Sequence, residues 1–250
     1  MYSELHPSLT LPGFTTDQLL SPTIEPVQYP IQVWHKTLIR CHKAEGSRPF
    51  VVESMEHHKQ PCRNLQDEFI LLRVAPAGGI DEETCNILIG RTIEGLPRDS
   101  VSVTRQNLLS QLGVQGPAID WVTVLPRGDH GVILQQPLSS ISWCGGRMGW
   151  FAPRLLALSG ILRHISIVEP NYNILTTQCC WFARAAYSVI SAIFGVAHCK
   201  REWDKHWDLS PVSRFGTIPR MTSHPTCAAL RTVIAYHSFV LDGYFVGSQE

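Results

Sequence analysis

The stretch that decides the fold, NYNILTTQCCWFARAAYSVI at residues 171–190, joins an irregular polar segment to a strongly apolar one. From residue 179 onward, apolar side chains recur at helical spacing. Thr176 or Thr177 can cap a helix that starts there, because a hydroxyl accepts a hydrogen bond from a first-turn N–H group. The pattern therefore predicts a helix over residues 179–194, with Cys179 in its first turn.

The two adjacent cysteines fall on different flanks of this predicted helix. At about 100° per residue, Cys179 lies on the apolar flank, whose other members are Phe182, Ala183, Ala186, Val189, Ile190, Ile193 and Phe194. Cys180 lies on the opposite flank, together with Arg184, Tyr187 and Ser191. The positive end of the helix dipole favours a thiolate, so Cys179 is the candidate nucleophile. Free cysteine is also among the most buried residue types, so a structural Cys179 remains open.

Composition bounds the class of protein. The chain has 250 residues, 44% of them apolar, with 21 basic and 21 acidic side chains. This apolar content supports a folded core, and the balanced charge gives no overall field toward nucleic acid or an anionic membrane. We therefore expect no nucleic-acid partner. We expect a flexible leader at 1–28, one domain at 29–198, and an extension at 199–250 that packs on the core and is partly irregular.

The beginning of the chain lacks the basic start and continuous apolar stretch of a signal peptide. No uncharged apolar run reaches the roughly 18 residues of a membrane span, and Arg184 interrupts the apolar segment at 181–197, which is interpreted as a core helix. Eight cysteines in a chain of this size are interpreted as mostly free thiols. The expectation is a soluble, cytoplasmic protein without stable membrane insertion.

Upstream of the cysteine helix the sequence predicts mainly strands. Residues 67–76 and 85–94 are apolar runs separated by a glycine-rich acidic turn, and they predict an antiparallel hairpin. Residues 31–42 are rich in β-formers and predict a strand, and residues 119–134 predict one or two more. The polar stretch at 55–66, broken by a proline, predicts a loop with its two histidines, His57 and His58, in solvent.

Other segments predict helices and a loop. Residues 154–168 have helical apolar spacing, and residues 99–113 are predicted to end in a short helix. Three glycines in five residues make 142–150 a loop. Residues 226–241 form either one more helix or a covering strand. Together these elements predict an α+β fold in which a small antiparallel sheet packs against the cysteine-bearing helix.

Residues 171–183, which read Asn-Tyr-Asn-Ile-Leu-Thr-Thr-Gln-Cys-Cys-Trp-Phe-Ala, resemble a segment of circularly permuted papain-like proteins that reads Tyr-Asn-Leu-Leu and then Asn-Cys-x-x-Phe. That group includes PPPDE-type deubiquitinating peptidases and relatives of lecithin retinol acyltransferase, and a set of basidiomycete proteins carries Asn-Cys-x-Trp-Phe-Ala. The resemblance is specific over residues 165–195 and looser over 65–195. It implies a fungal protein with the permuted order, in which a histidine-bearing strand precedes the cysteine helix.

The resemblance also assigns site residues, and this chain departs from the pattern at two of them. The first strand of the fungal hairpin starts His-Glu-Phe-Ile, whereas residues 67–70 read Asp-Glu-Phe-Ile, so that Asp67 stands where the histidine is expected. A Cys–His enzyme needs an imidazole to take the thiol proton, and a carboxylate is a weak substitute. Gln178 replaces the usual asparagine and keeps an amide that can donate to an oxyanion. His130, at the start of another apolar run, is the candidate replacement base.

Two hypotheses follow from these residues. In the first, the chain is a degenerate or non-catalytic papain-like protein, a pseudoenzyme with a binding or structural role. In the second, it is an active cysteine hydrolase or acyltransferase that uses Cys179, His130 and Gln178 on an isopeptide, peptide or acyl ester of an unknown protein or small acyl substrate. No cofactor is expected, and the His/Cys segments at 57–62 and 198–206 lack the paired ligand spacing of a zinc site.

Overall fold

The computed structural model describes ten segments of the chain, which are residues 19–20, 25–43, 48–59, 68–78, 84–93, 115–126, 137–143, 152–173, 179–194 and 199–203. Its strands are β1 (Val27–Pro30), β2 (Phe50–Lys59), β3 (Glu68–Pro76), β4 (Cys85–Ile93), β5 (Gln115–Val124), β6 (Ser139–Trp143), β7 (Asn171–Asn173) and β8 (Cys199–Trp203). Its helices are α1 (Ile31–Lys43), α2 (Leu155–Val168) and α3 (Cys179–Phe194).

All strand pairs in the described sheet are antiparallel. Seven strands follow one another in the order β1-β5-β4-β3-β2-β6-β8, and β7 pairs with the beginning of β5. The predicted hairpin is confirmed, because β3 and β4 are neighbours in which Ile70 pairs with Ile89 and Leu72 with Ile87. Cysteine helix α3 packs across β2, β3 and β4, as the predicted α+β class requires.

Side-chain alternation gives the sheet one buried and one half-exposed face. On β3, Ile70, Leu72 and Val74 are fully buried, whereas Phe69, just before Ile70, and Leu71, just after it, are partly exposed. Helix α2 packs against both α1 and α3, and the three helices share one core cluster with the buried side chains of the strands. The described helices therefore cover one face of the sheet, as expected of an antiparallel sheet with one face packed on a core.

Residues 31–42, predicted as a strand, form helix α1. The reason is visible in which residues are buried, namely Ile31, Trp34, Leu38 and Cys41. Their spacing of three or four residues puts them on one side of a helix. Burial of that side outweighs the weak helix propensity of β-branched and aromatic residues, so the prediction of a strand is wrong.

The predicted loop at 55–66 is wrong over its first five residues, which form the second half of β2. His57 and His58, predicted to lie in solvent, are 0% and 2% exposed. Each imidazole has a carboxylate within 3 Å, Glu68 for His57 and Glu56 for His58. The polar residues of this segment therefore belong to a strand, and both imidazoles are paired with carboxylates inside the protein rather than hydrated.

Most other predictions are confirmed where the structure describes the residues. Helix 154–168 is α2, and β5 accounts for the first part of the strands predicted at 119–134. The predicted loop at 142–150 is wrong over its first two residues, Ser142 and Trp143, which form the end of β6. The short helix expected within 99–113 and the element expected at 226–241 lie outside the described residues. Where described, Cys41 and Cys85 are free thiols, as expected.

The two ends of the chain are described only in part. Within the predicted leader, Leu19 and Leu20 are buried in the core and β1 begins at Val27. Within the predicted extension, β8 pairs with β6 at the border of the sheet. In the segments the structure describes, no helix has both the length and the apolar character needed to cross a membrane.

The half-exposed face of the sheet contains one close approach between β4 and β5, where Gly90 pairs with Trp121. A Cβ built on Gly90 would lie 2.5 Å from Cζ2 of Trp121 and 2.9 and 3.0 Å from Cε2 and Cη2. Because these two bonded neighbours are only slightly farther away than Cζ2, the Cβ would meet the face of the ring rather than its edge. The indole therefore lies flat across β4, which is possible only because residue 90 has no side chain.

We expect Gly90→Ala to destabilise the protein by about 1 to 3 kcal/mol, the usual cost of overpacking. Urea unfolding of the variant measures this loss. In a Trp121→Ala background the same substitution should cost much less, since the clashing ring is gone, and the difference between the two backgrounds is the coupling energy. Equal costs in both backgrounds would show that the indole does not rest on Gly90.

Candidate functional site

The candidate site lies between helix α3 and the inward face of the sheet. Eight of the fourteen described side chains of α3 are buried, namely Phe182, Ala183, Ala185, Ala186, Tyr187, Val189, Ile190 and Ser191. Trp181, Ser188 and Ala192 form its outward side. The flank that carries Arg184 and Tyr187, which the sequence separates from the apolar flank, is therefore also inside the protein, where it meets polar groups of the strands.

Under the first half of α3, the inward face of the sheet is charged rather than apolar. Glu68 on β3, Arg91 on β4 and Asp120 on β5 are all buried, and Arg91 is paired directly with Asp120 in the strand register. Each lies two residues along its strand from a fully buried apolar side chain of the same face. A buried charge is costly unless it is paired and hydrogen-bonded, so the partners of these three groups define the site.

Glu68 is the acceptor for two neighbouring elements. Arg184 of α3 donates from Nη2 to Oε1 at 2.9 Å and from Nε to Oε2 at 3.0 Å. His57 of β2 places its Nε2 2.9 Å from the same Oε2. The side chains of His57 and Glu68 are 0% exposed and that of Arg184 is 13% exposed. One carboxylate therefore connects β2, β3 and α3 in a site that excludes water.

Arg91 forms the second buried ion pair. Its Nε donates to Oδ1 of Asp120 at 2.7 Å and its Nη2 donates to Oδ2 at 2.9 Å. Nη2 also donates to the backbone carbonyl oxygen of Glu169 at 2.8 Å. The guanidinium carbon lies 5.1 Å from the ring centroid of Trp181 and 5.0 Å from that of Phe182, within the range of a cation–π contact. Arg91 thus connects the first turn of α3 to two strands and to the end of α2.

Burial and pairing shift the pKa values of Glu68 and His57. Burial alone raises the pKa of Glu68, but the close contact with His57 and the positive charge of Arg184 outweigh it, so the net pKa is lowered. Burial lowers the pKa of His57, and the contact with Glu68 only partly opposes that shift. The site therefore holds an ionised carboxylate beside a neutral imidazole near pH 7.

His57 lies beneath the middle of α3 rather than beneath its first turn. Its ring centroid is 6.1 Å from that of Tyr187, with the two rings tilted by 36°. Tyr187 follows Cys179 by eight residues, which is about 12 Å along a helix axis. Ser139 pairs with His57 across β6 and β2, and its buried Oγ has no hydrogen-bond partner among the described residues. These positions give His57 a role in packing between α3 and the strands.

Two other histidines lie away from this site. His58 is on the opposite face of the sheet, where its Nε2 is 2.7 Å from Oε2 of Glu56 and its ring stacks on Phe69 at a centroid distance of 5.4 Å. His35 lies between α1 and α2, with its Nδ1 2.8 Å from Oγ of Ser159. Both imidazoles are held by local partners, and neither belongs to the layer beneath α3.

Of the four residues that the sequence nominates as catalytic, the structure describes the position of Cys179. Helix α3 begins at Cys179, as predicted. Asp67, His130 and Gln178 lie outside the described residues, so their assignment as base and oxyanion donor stays a prediction. The structure brings together a different set, which is His57, Glu68, Arg91, Asp120 and Arg184.

The sequence does contain a signal for part of that set. In an antiparallel strand, residues two apart share a face, and Glu68, Arg91 and Asp120 each share a face with buried apolar neighbours. A charge at a core-facing position predicts a buried partner. Which partner it meets depends on the register between strands and on the position of α3, neither of which can be read from the local sequence.

Comparisons with protein-family models, with curated proteins and with solved structures found no match. Within the described segments, no group of three or more His, Cys, Asp and Glu side chains is arranged to hold a metal ion. The arrangement beneath α3 is instead a set of buried ion pairs. These groups hold helix α3 on the sheet.

Breaking one side of the Glu68–Arg184 pair should cost more than removing both sides. Glu68→Leu leaves a largely buried guanidinium without its carboxylate, and we expect a loss of about 3 to 5 kcal/mol. The double variant Glu68→Leu/Arg184→Leu should lose less than the sum of the single variants, as measured by urea unfolding. The exposed pair Arg73–Glu53, where Arg73 is 48% exposed, is the matched control, with an expected coupling of about 1 kcal/mol or less. Additive losses at Glu68 and Arg184 would contradict the pairing.

Stability should fall in mild acid because of His57. Its folded pKa lies below the usual 6.5, so below about pH 6.5 the unfolded chain binds a proton that the folded protein does not, and folding loses stability. Glu68, whose folded pKa is below 4.5, adds a further loss only below about pH 4.5. Urea unfolding between about pH 7 and pH 5 should show a smaller decrease for His57→Gln than for the wild type.

The matched control for this measurement is His42→Gln, because His42 is exposed on α1. That variant should keep the wild-type dependence of stability on pH. If His57→Gln also keeps it, then His57 is not the neutral, buried group that the structure indicates.

Proposed function

We propose that this chain is a non-catalytic binding protein built on a papain-like scaffold, in which buried acid and base groups hold the cysteine helix in place. The observation that carries the proposal is the pair of bidentate ion pairs beneath α3, Arg184 with Glu68 and Arg91 with Asp120. Each carboxylate has both oxygens occupied by a guanidinium. Groups that are fully paired in this way are poorly suited to exchanging protons with a substrate.

The position of His57 supports the same proposal. A cysteine hydrolase needs an imidazole within reach of the thiol proton. His57 is 0% exposed, adjoins Glu68, and lies against Tyr187, two helical turns past the start of α3. An imidazole in that place stabilises the contact between α3 and the sheet, and a base for Cys179 would have to come from elsewhere.

The order of elements is the support for a papain-like scaffold. An antiparallel hairpin, β3 and β4, precedes a helix that begins at Cys179 and packs on that hairpin. This order agrees with the circularly permuted arrangement that residues 171–183 resemble. Asp67, where that arrangement carries its histidine, is the substitution that accounts for a loss of catalysis.

One observation favours the alternative, an active cysteine hydrolase or acyltransferase. Because α3 begins at Cys179, the first-turn N–H groups and the positive end of the helix dipole lie at that residue, and both favour a thiolate. In this alternative His130 acts as the displaced base and Gln178 as the oxyanion donor. The substrate is an isopeptide, a peptide or an acyl ester.

The pH dependence of iodoacetamide labelling at each cysteine separates the two functions. For a non-catalytic protein we expect Cys179 to label with a midpoint at or above the free-thiol value of about 8.5, and no faster than the other cysteines. Mass spectrometry of the labelled peptides gives the rate at each position. Cys180→Ser is the matched control, since it leaves Cys179 as the single thiol of this pair. An acidic midpoint that is specific to Cys179 would establish the alternative.

A companion variant tests the position of the lost base. Asp67→His should lower the thiol pKa of Cys179 in a protein with an unchanged melting temperature, because an imidazolium near the sulfur stabilises the thiolate. Asp67→Asn, which removes the carboxylate without adding an imidazole, should not produce that decrease. If Asp67→His folds and leaves the labelling midpoint unchanged, Asp67 does not occupy the base position.

A further inference from the structure

Helices α1 and α2 carry basic residues and no acidic ones. On α1, Lys36, Arg40 and Lys43 are exposed and follow each other at spacings of four and three residues, which places them on one side of the helix. Arg163 of α2 lies close by. Burial lowers the pKa of His35 on α1, and the positive charge of Arg163 lowers it further. Because α1 packs directly on α2, with His35 bonded to Ser159, the cations of the two helices lie on neighbouring parts of one surface.

Within the segments that the structure describes, no carboxylate neutralises these four cations. Ion pairs between the described residues use other cations, such as Arg73, Arg91 and Arg184. Lys36, Arg40, Lys43 and Arg163 form neither an ion pair nor a hydrogen bond through their charged groups with another described residue. Salt screens charges over about 8 Å under physiological conditions. The electrostatic potential at this surface therefore depends on these nearby cations and not on the net charge of the chain.

The same surface carries an exposed apolar side chain. Ile167, which is 50% exposed, lies one helical turn after Arg163 on α2. Among the described residues, Ile167 is the large apolar residue whose side chain is exposed. We refer to Lys36, Arg40, Lys43, Arg163 and Ile167 together as the basic surface.

We propose that the basic surface docks the protein on an anionic lipid bilayer. Lysine and arginine on one side of a helix pair, beside an exposed aliphatic residue, supply the two attractions that hold proteins at such an interface, which are charge and shallow apolar burial. The contact is peripheral. It does not depend on whether Cys179 is catalytic.

The shape of the basic surface favours a bilayer over nucleic acid. Two packed helices, with axes about 8 to 10 Å apart and each about 10 Å across, present a face close to 20 Å wide. That face is too wide for the major groove of DNA, which is about 12 Å wide, but it can lie on a flat membrane. Bases of a single strand stack on exposed aromatic side chains, and Trp34, the aromatic residue of these two helices apart from histidines, is fully buried.

Sedimentation of the full chain with lipid vesicles tests the proposal. We expect binding to vesicles that contain phosphatidylserine, no binding to vesicles of phosphatidylcholine alone, and weakening of the binding as salt is raised. Each Lys or Arg near an anionic surface contributes about fivefold to the affinity. Arg40→Gln should therefore weaken binding about fivefold, and the triple variant Lys36→Gln/Arg40→Gln/Lys43→Gln about a hundredfold.

Arg73→Gln is the matched control, because it removes one exposed guanidinium from the opposite face of the protein and should leave vesicle binding unchanged. Ile167→Ser should weaken binding to phosphatidylserine vesicles, since it removes the apolar contact. All variants change exposed residues, and an unchanged melting temperature verifies folding. If the triple variant unfolds, the comparison of Arg40→Gln with Arg73→Gln decides the question.

Three results would overturn the proposal. The first is an absence of binding to phosphatidylserine vesicles at low salt. The second is binding that the folded triple variant retains, or that Arg73→Gln weakens as much as Arg40→Gln. The third is binding to duplex DNA or RNA at physiological salt without binding to vesicles, which would assign the basic surface to nucleic acid.

Discussion

The contact on which the described fold depends is the bidentate hydrogen bonding of Arg184 to Glu68. It joins a helix to the middle of the sheet at a place where Glu68 is fully buried and Arg184 is largely buried. The free energy of taking both ions out of water is large and is recovered only if the geometry of the pair is good. The helix must therefore sit at one height and one rotation on the strands, and the other contacts of α3 form around that position.

The need for such a contact follows from the composition of the helix. Next to Arg184, the buried sides of α3 include Ala183, Ala185 and Ala186, whose short methyl groups interlock with the sheet less than larger side chains do. In this turn the apolar contacts therefore contribute little to fixing the rotation of the helix. Arg184 holds α3 to the sheet at the second turn of the helix. The rings of Trp181 and Phe182, which contact Arg91, hold it at the first turn. Buried ion pairs of this kind add more to the uniqueness of the packing than to its strength.

The part of this fold that could be predicted is the part determined by local periodicity. Runs of apolar residues, and the glycine, proline and polar residues that end them, predict the hairpin of β3 and β4, helix α2 and the start of α3 at Cys179. Helix α1 was not predicted, because its β-branched and aromatic residues have the composition of a strand, and only their burial at helical spacing reveals a helix.

The candidate site was less predictable than the fold. His57 reads as a loop residue because its polar neighbours give no hint of Glu68, which follows eleven residues later on the adjacent strand. Arg184 lies much farther along the chain, and its meeting with Glu68 depends on the whole arrangement of α3 on the sheet. The residues nominated by resemblance, Asp67, His130 and Gln178, remain predictions. A motif can point to a helix start, but it cannot supply the tertiary partners of a charge.

The surface charge of helices α1 and α2 has an electrical consequence. The chain has equal numbers of basic and acidic side chains, and the ion pairs beneath α3 cancel internally. On the other side of the sheet, Glu53 and Glu56 are likewise paired, with Arg73 and His58. The cations of α1 and α2 have no such pairs within the described segments, so a positive potential builds up locally over the helical side. A chain with no net charge can thus present one charged side, and in the field of an anionic surface that side is the one attracted.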